Sequence, residues 1–329
     1  MIRILREDDL RSILDVATGL AVIERTWRDY GEGRQFALSE PTSLFGGSGL
    51  PGMAKYKVKG ATLPDRHVTG LRLVGDAPLE HGFNSSHMLM VYDDRTGFPI
   101  GLLDEHWLHR FRTALTGVVA ARHLARPNSR VAALIGAGAI ALELFPALTD
   151  VFDLEEVRVV ARRFQSASAF CDRVGTGRPA RFVAMRTAEE AVAGADIVIT
   201  LTFAEEPMIR PGMLAPGSFL CSMGETEEVD VAVLDEVDRF IVDEFDYATL
   251  LGDVSVWLKQ GRIGRDALRK RVDADIGQIV AGKVTGRMAE NERIFAIIQG
   301  MAICDLALAD EALKVANARG TGETLSLFS

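Results

Sequence analysis

The chain is poor in cysteine: Cys171, Cys221 and Cys304 are the only three in 329 residues, and they stand far apart. They form neither a disulfide framework nor a CxxC zinc pair, so they read as reduced, mostly buried thiols. Histidine is also scarce. His67, His81, His87, His106, His109 and His123 never fall at HxxxH spacing, and no metal is expected. No serine or cysteine occupies a nucleophile elbow. Basic charge is in deficit, with 37 Lys and Arg against 46 Asp and Glu, a net charge of −9. Nucleic acid and anionic lipid both select basic surfaces, so neither is an expected partner. The longest charge-free apolar run near the middle, Val131 to Leu142, stops at Glu143. A bilayer span needs roughly 20 apolar residues. The N-terminus meets acidic residues at once and has no signal-peptide pattern. A cytoplasmic protein is the expectation.

What is present is an ordered alternation. Apolar residues at helical spacing predict one long helix from Asp8 to Tyr30, and Ser39 to Gly52, dense in Gly, Pro and Ser, reads as loop. Thr69–Val74 and His87–Tyr92 read as strands. Asp93–Gly97 is a turn, with Pro99–Leu103 as the return strand of a hairpin. A helix follows from Asp104 to Leu124, and Arg126-Pro127-Asn128 marks a boundary. Beyond it, Arg130–Ile135, Glu156–Ala161, Asp196–Thr202, Ser218–Met223 and Arg239–Asp243 are strand-like, with helical segments between the earlier ones. This spacing implies βαβ units in a parallel, doubly wound sheet. Asp266 to Ala318 reads as mainly helical. The expected organisation is α/β: a Rossmann-type domain over 128–304 and a discontinuous α+β domain over 1–127 and 305–329.

The most informative motif is Gly136-Ala137-Gly138-Ala139-Ile140-Ala141, a GxGxxA turn directly after a strand and before a helix. Gly136 permits the tight turn, Gly138 carries no Cβ to block a pyrophosphate, and Ala141 lets the helix approach the sheet. The N–H groups of a helix N-terminus favour an anion there. These residues are expected to bind a dinucleotide. An Asp or Glu at the tip of the second strand would hold the ribose 2′-OH of NAD. This chain instead reads Ala161-Arg162-Arg163. Guanidinium groups match a phosphate, so NADP(H) is expected over NAD(H). Ligands bind at the carboxyl ends of strands in such sheets. Thr200 and Thr202, and then Met223, Gly224 and Glu225, end the next two strands on that edge and are further cofactor or nicotinamide-side candidates.

A carboxylate-bearing substrate needs an arginine to grip it. Arg112 lies among Phe111 and small residues rather than in a run of charge, which marks it out. Lys59, in Lys57-Val58-Lys59-Gly60-Ala61, and Arg72 are not set apart by composition alone.

The runs Val91-Tyr92-Asp93-Asp94-Arg95-Thr96-Gly97-Phe98-Pro99, Leu108 to Ala114 with Arg112-Thr113, and Ala120 to Pro127, followed by Ile135-Gly136-Ala137-Gly138, resemble the ornithine cyclodeaminase/mu-crystallin family. Ala191 to Val198 and Gly300-Met301-Ala302 to Asp305 share the resemblance, which covers nearly the whole chain. It implies a homodimer whose first domain carries the interface and the substrate contacts. It also implies activity on small amino or imino acids. The family often has an Arg near the position of Ser43 and a Lys where this chain carries Arg72. Arg112 is kept, and the family's Asp after the strand-end glycine appears as Glu225. Arg cannot exchange a proton, so the missing Lys argues against ornithine cyclodeamination unless nearby Lys59 substitutes.

The resulting expectation is an NAD(P)H-dependent imine reductase or amino-acid dehydrogenase acting on a small 2-imino or 2-amino acid. Arg112 would hold the substrate carboxylate, Lys59 or Glu225 would supply the proton, and Arg72 would stabilise substrate charge. The alternatives are a cyclodeaminase that takes a hydride and returns it, and a mu-crystallin-like binding protein without turnover.

Overall fold

In the computed structural model the described residues are 1–37, 43–47, 53–76, 85–204 and 206–327. They divide into two compact units, Met1–Arg112 with Met301–Ser329, and Thr113–Gly300. The cuts fall within the helix His106–Leu124 and just before the helix Ala302–Arg319, whereas the expected boundaries lay at 127/128 and 304/305.

The first unit is a mixed sheet built from β1 (Ile2–Leu5), β2 (Phe36–Ala37), β3 (Ser43–Gly47), β4 (Lys55–Leu63), β5 (Val68–Asp76), β6 (Ser85–Asp93) and β7 (Pro99–Asp104), closed by β16 (Glu323–Leu325). Its order is β16-β1-β7-β6-β5-β4-β2, with β3 also paired to β4. The hairpin expected around Asp93–Gly97 is there, as β6 and β7. Helices α1 (Glu7–Ile13) and α2 (Val16–Gly31) replace the single long helix expected from Asp8. The apolar spacing runs on through the break, but Leu14 is extended and Asp15 caps the second helix, accepting from the Thr18 N–H at 2.7 Å. That interruption is a capping effect, which hydrophobic periodicity does not register. Ser43–Gly47, read as loop, is a strand; 38–42 and 48–52 of that stretch lie outside the described residues.

Helix α3 (His106–Leu124) follows the hairpin, and the last helix, α11 (Ala302–Arg319), returns to this sheet. Two glycines let it seat closely. A Cβ on Gly70 would come within 2.6 Å of Leu306, and one on Gly101 within 2.5 Å of Leu313. The opposite face of the sheet is partly apolar and open: Leu71 and Met88 are exposed, and Val58, Leu73 and Met90 are half-buried.

The second unit is an eight-stranded, wholly parallel sheet: β8 (Val131–Ile135), β9 (Glu156–Val160), β10 (Arg181–Ala184), β11 (Ile197–Thr200), β12 (Phe219–Ser222), β13 (Arg239–Val242), β14 (Ala274–Asp275) and β15 (Ile294–Ile297). Its helices are α4 (Ala139–Val151), α5 (Phe164–Gly175), α6 (Ala188–Val192), α7 (Phe245–Ala248), α8 (Gly252–Lys259), α9 (Arg265–Arg271) and α10 (Ile276–Val280). The order β10-β9-β8-β11-β12-β15-β13-β14 reverses between β8 and β11. All five expected strands form. The stretch from Asp266, expected to be mainly helical, also contains β15, which inserts between β12 and β13. Ile-Phe-Ala-Ile is four buried residues long, too short for its period to separate strand from helix.

Candidate functional site

The sheet reversal in the second unit leaves a crevice at the carboxyl ends of β8 and β11, where open α/β sheets bind ligands. The glycine-rich turn sits there. Gly136 has φ +121°, and a Cβ on it would come within 2.3 Å of the Leu201 carbonyl oxygen, so only glycine fits without strain. Gly138 is the N-cap of α4, and a Cβ there would meet nothing within 4 Å. The side of the turn that a pyrophosphate would occupy is thus open, next to the first N–H groups of α4 at Ala139 and Ile140. Ala137 and Ile140 are half-buried, while Ala141 is fully buried where the helix meets the sheet. This geometry fits a dinucleotide.

A cleft of about 690 Å³ extends from this turn. Ile135, Gly136, Val160, Ala161 and Thr202 form its floor, and Arg162, Arg186 and Arg210 contribute guanidinium groups. Glu189 is its one carboxylate among the described residues. Arg162 lines the cleft. Arg163 is the exposed N-cap of α5 and does not line this cleft. Arg186 lies over the Phe164 ring, 4.5 Å from its centroid. Sequence reading missed Arg186 because it follows β10, whose short half-buried pattern gives little strand signal.

The tips of β11 and β12 are organised by a residue the sequence did not single out. Glu228 is fully buried and accepts from Thr200 Oγ1 at 2.7 Å, from the Gly224 N–H at 2.8 Å, from Ser222 Oγ and from the Thr202 N–H. Thr200, expected to line the cofactor, is therefore turned inward, with its hydroxyl committed to Glu228. Gly224 is needed because a Cβ would enter the Glu228 carboxylate at 2.5 Å. Met223 is buried against Gly117, and Glu225 is exposed on the loop. Asp253 backs this arrangement, accepting from the Glu228 and Val229 N–H groups at 2.6 and 2.8 Å and sharing the Ser222 hydroxyl. Burial, then the Glu228 charge, raises the Asp253 carboxyl to about 7, and burial raises Glu228 too. One hydroxyl proton cannot serve both carboxylates. A protonated Asp253 that donates to Ser222, which donates to Glu228, satisfies both.

The first unit gathers the expected cations. Lys59 on β4 and Arg72 on β5 are register partners, so their side chains share a face, and Ser43 stands opposite Lys59 on β3. Lys59, Arg72 and Arg112 are 3%, 3% and 1% exposed, which excludes solvated surface roles. Arg112 Nε donates to Asp305 Oδ1 at 2.6 Å, and Arg112 Nη2 to His109 Nδ1 at 2.9 Å. Its buried Nη1 has no partner among the described residues. Arg72 Nε donates to Glu105, and Arg72 Nη2 lies 3.4 Å from His87 Nδ1. Burial, reinforced by Lys57, Arg72 and Arg112, holds the Lys59 ammonium well below its ordinary 10.5. Burial and the nearby cations also lower both histidines, His87 to about 4 and His109 well below 6.5. Both imidazoles are neutral at pH 7.

Glu105, His109 and Asp305 were missed at the sequence level. Their signals are modest: Glu105, His109 and Arg112 recur at i, i+4 and i+7, the spacing of one helical face, and Asp305 is the first of three acids in its helix, set among apolar residues ahead of Asp310 and Glu311. These three offer ligand atoms within 4.8 Å of one another. The guanidinium groups of Arg72 and Arg112 already engage one oxygen of each carboxylate, so the donor set suits bound cations poorly.

A model of the ornithine cyclodeaminase/mu-crystallin family matches residues 54–316. The alanine dehydrogenase of Archaeoglobus fulgidus is 27% identical over 335 residues, covering 99% of this chain and 98% of its own. A delta(1)-pyrroline-2-carboxylate reductase of Bacillus cereus is 29% identical, covering 92% of this chain and 90% of its own. Among solved structures, an archaeal alanine dehydrogenase dimer with bound NAD superposes with a TM-score of 0.89 at 25% identity, covering 99% of both chains.

Proposed function

The chain belongs to the ornithine cyclodeaminase/mu-crystallin family, and we propose that it is an NADPH-dependent oxidoreductase that reduces the C=N bond of a small 2-imino acid to the 2-amino acid. The observation that carries this reading is the pairing of a nucleotide-fitting glycine turn in one unit with a buried cluster of Lys59, Arg72 and Arg112 in the other. Relatives named as an alanine dehydrogenase and a pyrroline-carboxylate reductase support it.

A reduced nicotinamide, when bound, would supply the hydride for the imine carbon. Gly136, Gly138 and the N-terminus of α4 bind the pyrophosphate, and Thr202 borders the same cleft. Arg162, with Arg186, binds a ribose 2′-phosphate, which gives NADPH preference over NADH. Arg112 binds the substrate carboxylate through its unpartnered Nη1 edge. Lys59 holds and gives up the proton at the substrate nitrogen, because burial and the neighbouring cations weaken its hold on that proton, an exchange Arg72 cannot perform. Arg72 stabilises substrate negative charge. Glu225, exposed on the other unit, is the weaker proton candidate.

We further propose a homodimer through the partly apolar outer face of the first sheet, where Leu71 and Met88 are exposed; a dimer is recorded for the archaeal alanine dehydrogenase. The three cysteines are buried and form no disulfide, in keeping with a reducing, cytoplasmic setting. No helix among the described residues is long and apolar enough to cross a membrane.

The test is a panel of cyclic imino acids, and of 2-oxo acids with ammonium or amines, assayed for NADPH loss and for 2-amino acid formed. Equal amounts of each are expected for at least one member. Ammonia released from ornithine or lysine with no net cofactor change would instead favour cyclodeamination, and tight ligand binding with no turnover would favour a binding protein.

A further inference from the structure

Two carboxylate oxygens in the first unit lack the partner that burial demands. Glu105 and Asp305 are both fully buried. One oxygen of each is taken, Glu105 Oε2 by Arg72 Nε and Asp305 Oδ1 by Arg112 Nε. Among the described residues nothing donates to Glu105 Oε1 or to Asp305 Oδ2. Yet the two carboxylates offer ligand atoms within 4.8 Å of each other, and their side chains are placed to hydrogen-bond one another once one carries a proton. Two adjacent buried carboxylates do not both ionise when a shared proton can bond them, and such a proton would satisfy both orphaned oxygens at once.

We propose that Glu105 and Asp305 share a single proton between Oε1 and Oδ2, and that this proton preserves the positive surplus with which the cluster holds an anionic substrate. The second half rests on the substrate reading above; the first half does not. The surrounding charges agree. The groups facing the pair are Lys59 on β4, Arg72 on β5, His87 on β6, and His109 and Arg112 on α3. Burial lifts Glu105 to about 8, while Arg112 and Arg72 outweigh burial at Asp305 and hold it below 3.8. The proton therefore belongs to Glu105. With His87 and His109 neutral, Arg72 and Arg112 against Asp305 leave one positive charge before Lys59 is counted, a match for one substrate carboxylate. Ionisation of Glu105 removes it. Glu105 is thus a positioning residue, acting through Arg72 and Asp305.

The experiment has two parts. Infrared difference spectra of the unliganded protein, wild type minus Glu105→Gln so that the Asp253 carboxyl cancels, are expected to show a protonated carboxylic C=O band at neutral pH. The band should fade as pH rises through about 8. No such band, or a stoichiometric metal ion lost in that variant, overturns the shared proton. Substrate KM in the wild type is expected to rise about tenfold between about pH 7 and pH 9, the limit for one linked proton. In Glu105→Gln, whose amide replaces the acid permanently, that rise should flatten. An unchanged rise in the variant assigns it to Lys59 and overturns the second half. A band without any imine reduction leaves the shared proton standing and sinks the substrate reading alone.

Discussion

Lys59 and Arg72 face each other across the antiparallel β4–β5 pair, both buried on the same side of the sheet. The resemblance places a lysine at the position of Arg72 and an arginine near that of Ser43, which is itself the register partner of Lys59. Along this row, Ser43, Lys59 and Arg72 keep one ammonium and one guanidinium but carry them on neighbouring strands. Cross-strand partners lie about 5 Å apart at Cβ, close enough for Lys59 to serve a substrate nitrogen that a lysine at position 72 would serve.

Lys59→Met is therefore expected to lower kcat by about 10²-fold or more, the ordinary size of a lost proton-transfer group, with little change in NADPH affinity. Adding Arg72→Lys to that variant should restore part of the loss by returning an ammonium from the adjacent strand. Steady-state kinetics of the two variants check it, and a fully active Lys59→Met would contradict the role.

Gly136→Ala should abolish cofactor binding or folding. Its φ of +121° disfavours any Cβ, and that Cβ would sit 2.3 Å from the Leu201 carbonyl oxygen. Strain of this kind costs about 1–3 kcal/mol before the clash is counted. Calorimetric titration with NADPH, together with Tm, measures both effects. Normal binding would show that the turn is not where the pyrophosphate rests.

Arg162→Ala is expected to raise KM for NADPH about tenfold while leaving KM for NADH nearly unchanged, because in the proposed reading the guanidinium would meet only the 2′-phosphate. Arg163→Ala, outside the cleft, should do much less. Equal losses for both cofactors would remove the basis for NADPH preference.

Asp253 gives a stability prediction with a definite sign. Its folded-state carboxyl is raised from 3.8 to about 7. Below 3.8 both states are protonated and nothing is lost. Between the two values the folded protein binds more protons, so this group's contribution to stability falls as pH rises, and the full penalty is present above about 7. Asp253→Asn can keep the bonds from the Glu228 and Val229 N–H groups and donate permanently to Ser222. Its Tm should gain on the wild type from about pH 4 to pH 7. A constant gap across that range would show that Asp253 is ionised throughout.

The legible parts of this molecule are those that local chemistry dictates. The GxGxxA turn, the five parallel strands and the absence of an acid after Val160 could be read directly, since each depends on neighbours in sequence. Strand β4 was harder. Lys55, Lys57 and Lys59 alternate with Tyr56, Val58 and Gly60 at a period of two, but their charge hides that the face they share becomes buried at Lys59. The partners of the site were harder still. Asp305 meets Arg112 across 193 residues of chain, and Glu228 meets Thr200 from beyond the next strand. An acid in such a place looks like any other until the fold removes it from water. Glu225 drew notice because it follows a glycine, whereas the buried acids of that loop, Glu227 and Glu228, lie two and three residues on.

The most direct measurement follows the hydride itself. Wild-type protein would be incubated with an accepted 2-imino acid and NADPH carrying deuterium at the transferring C4 position, and the product examined by mass spectrometry. One deuterium is expected on the α-carbon of the 2-amino acid for each NADPH consumed. Product without deuterium, or cofactor consumed with no 2-amino acid formed, would contradict it.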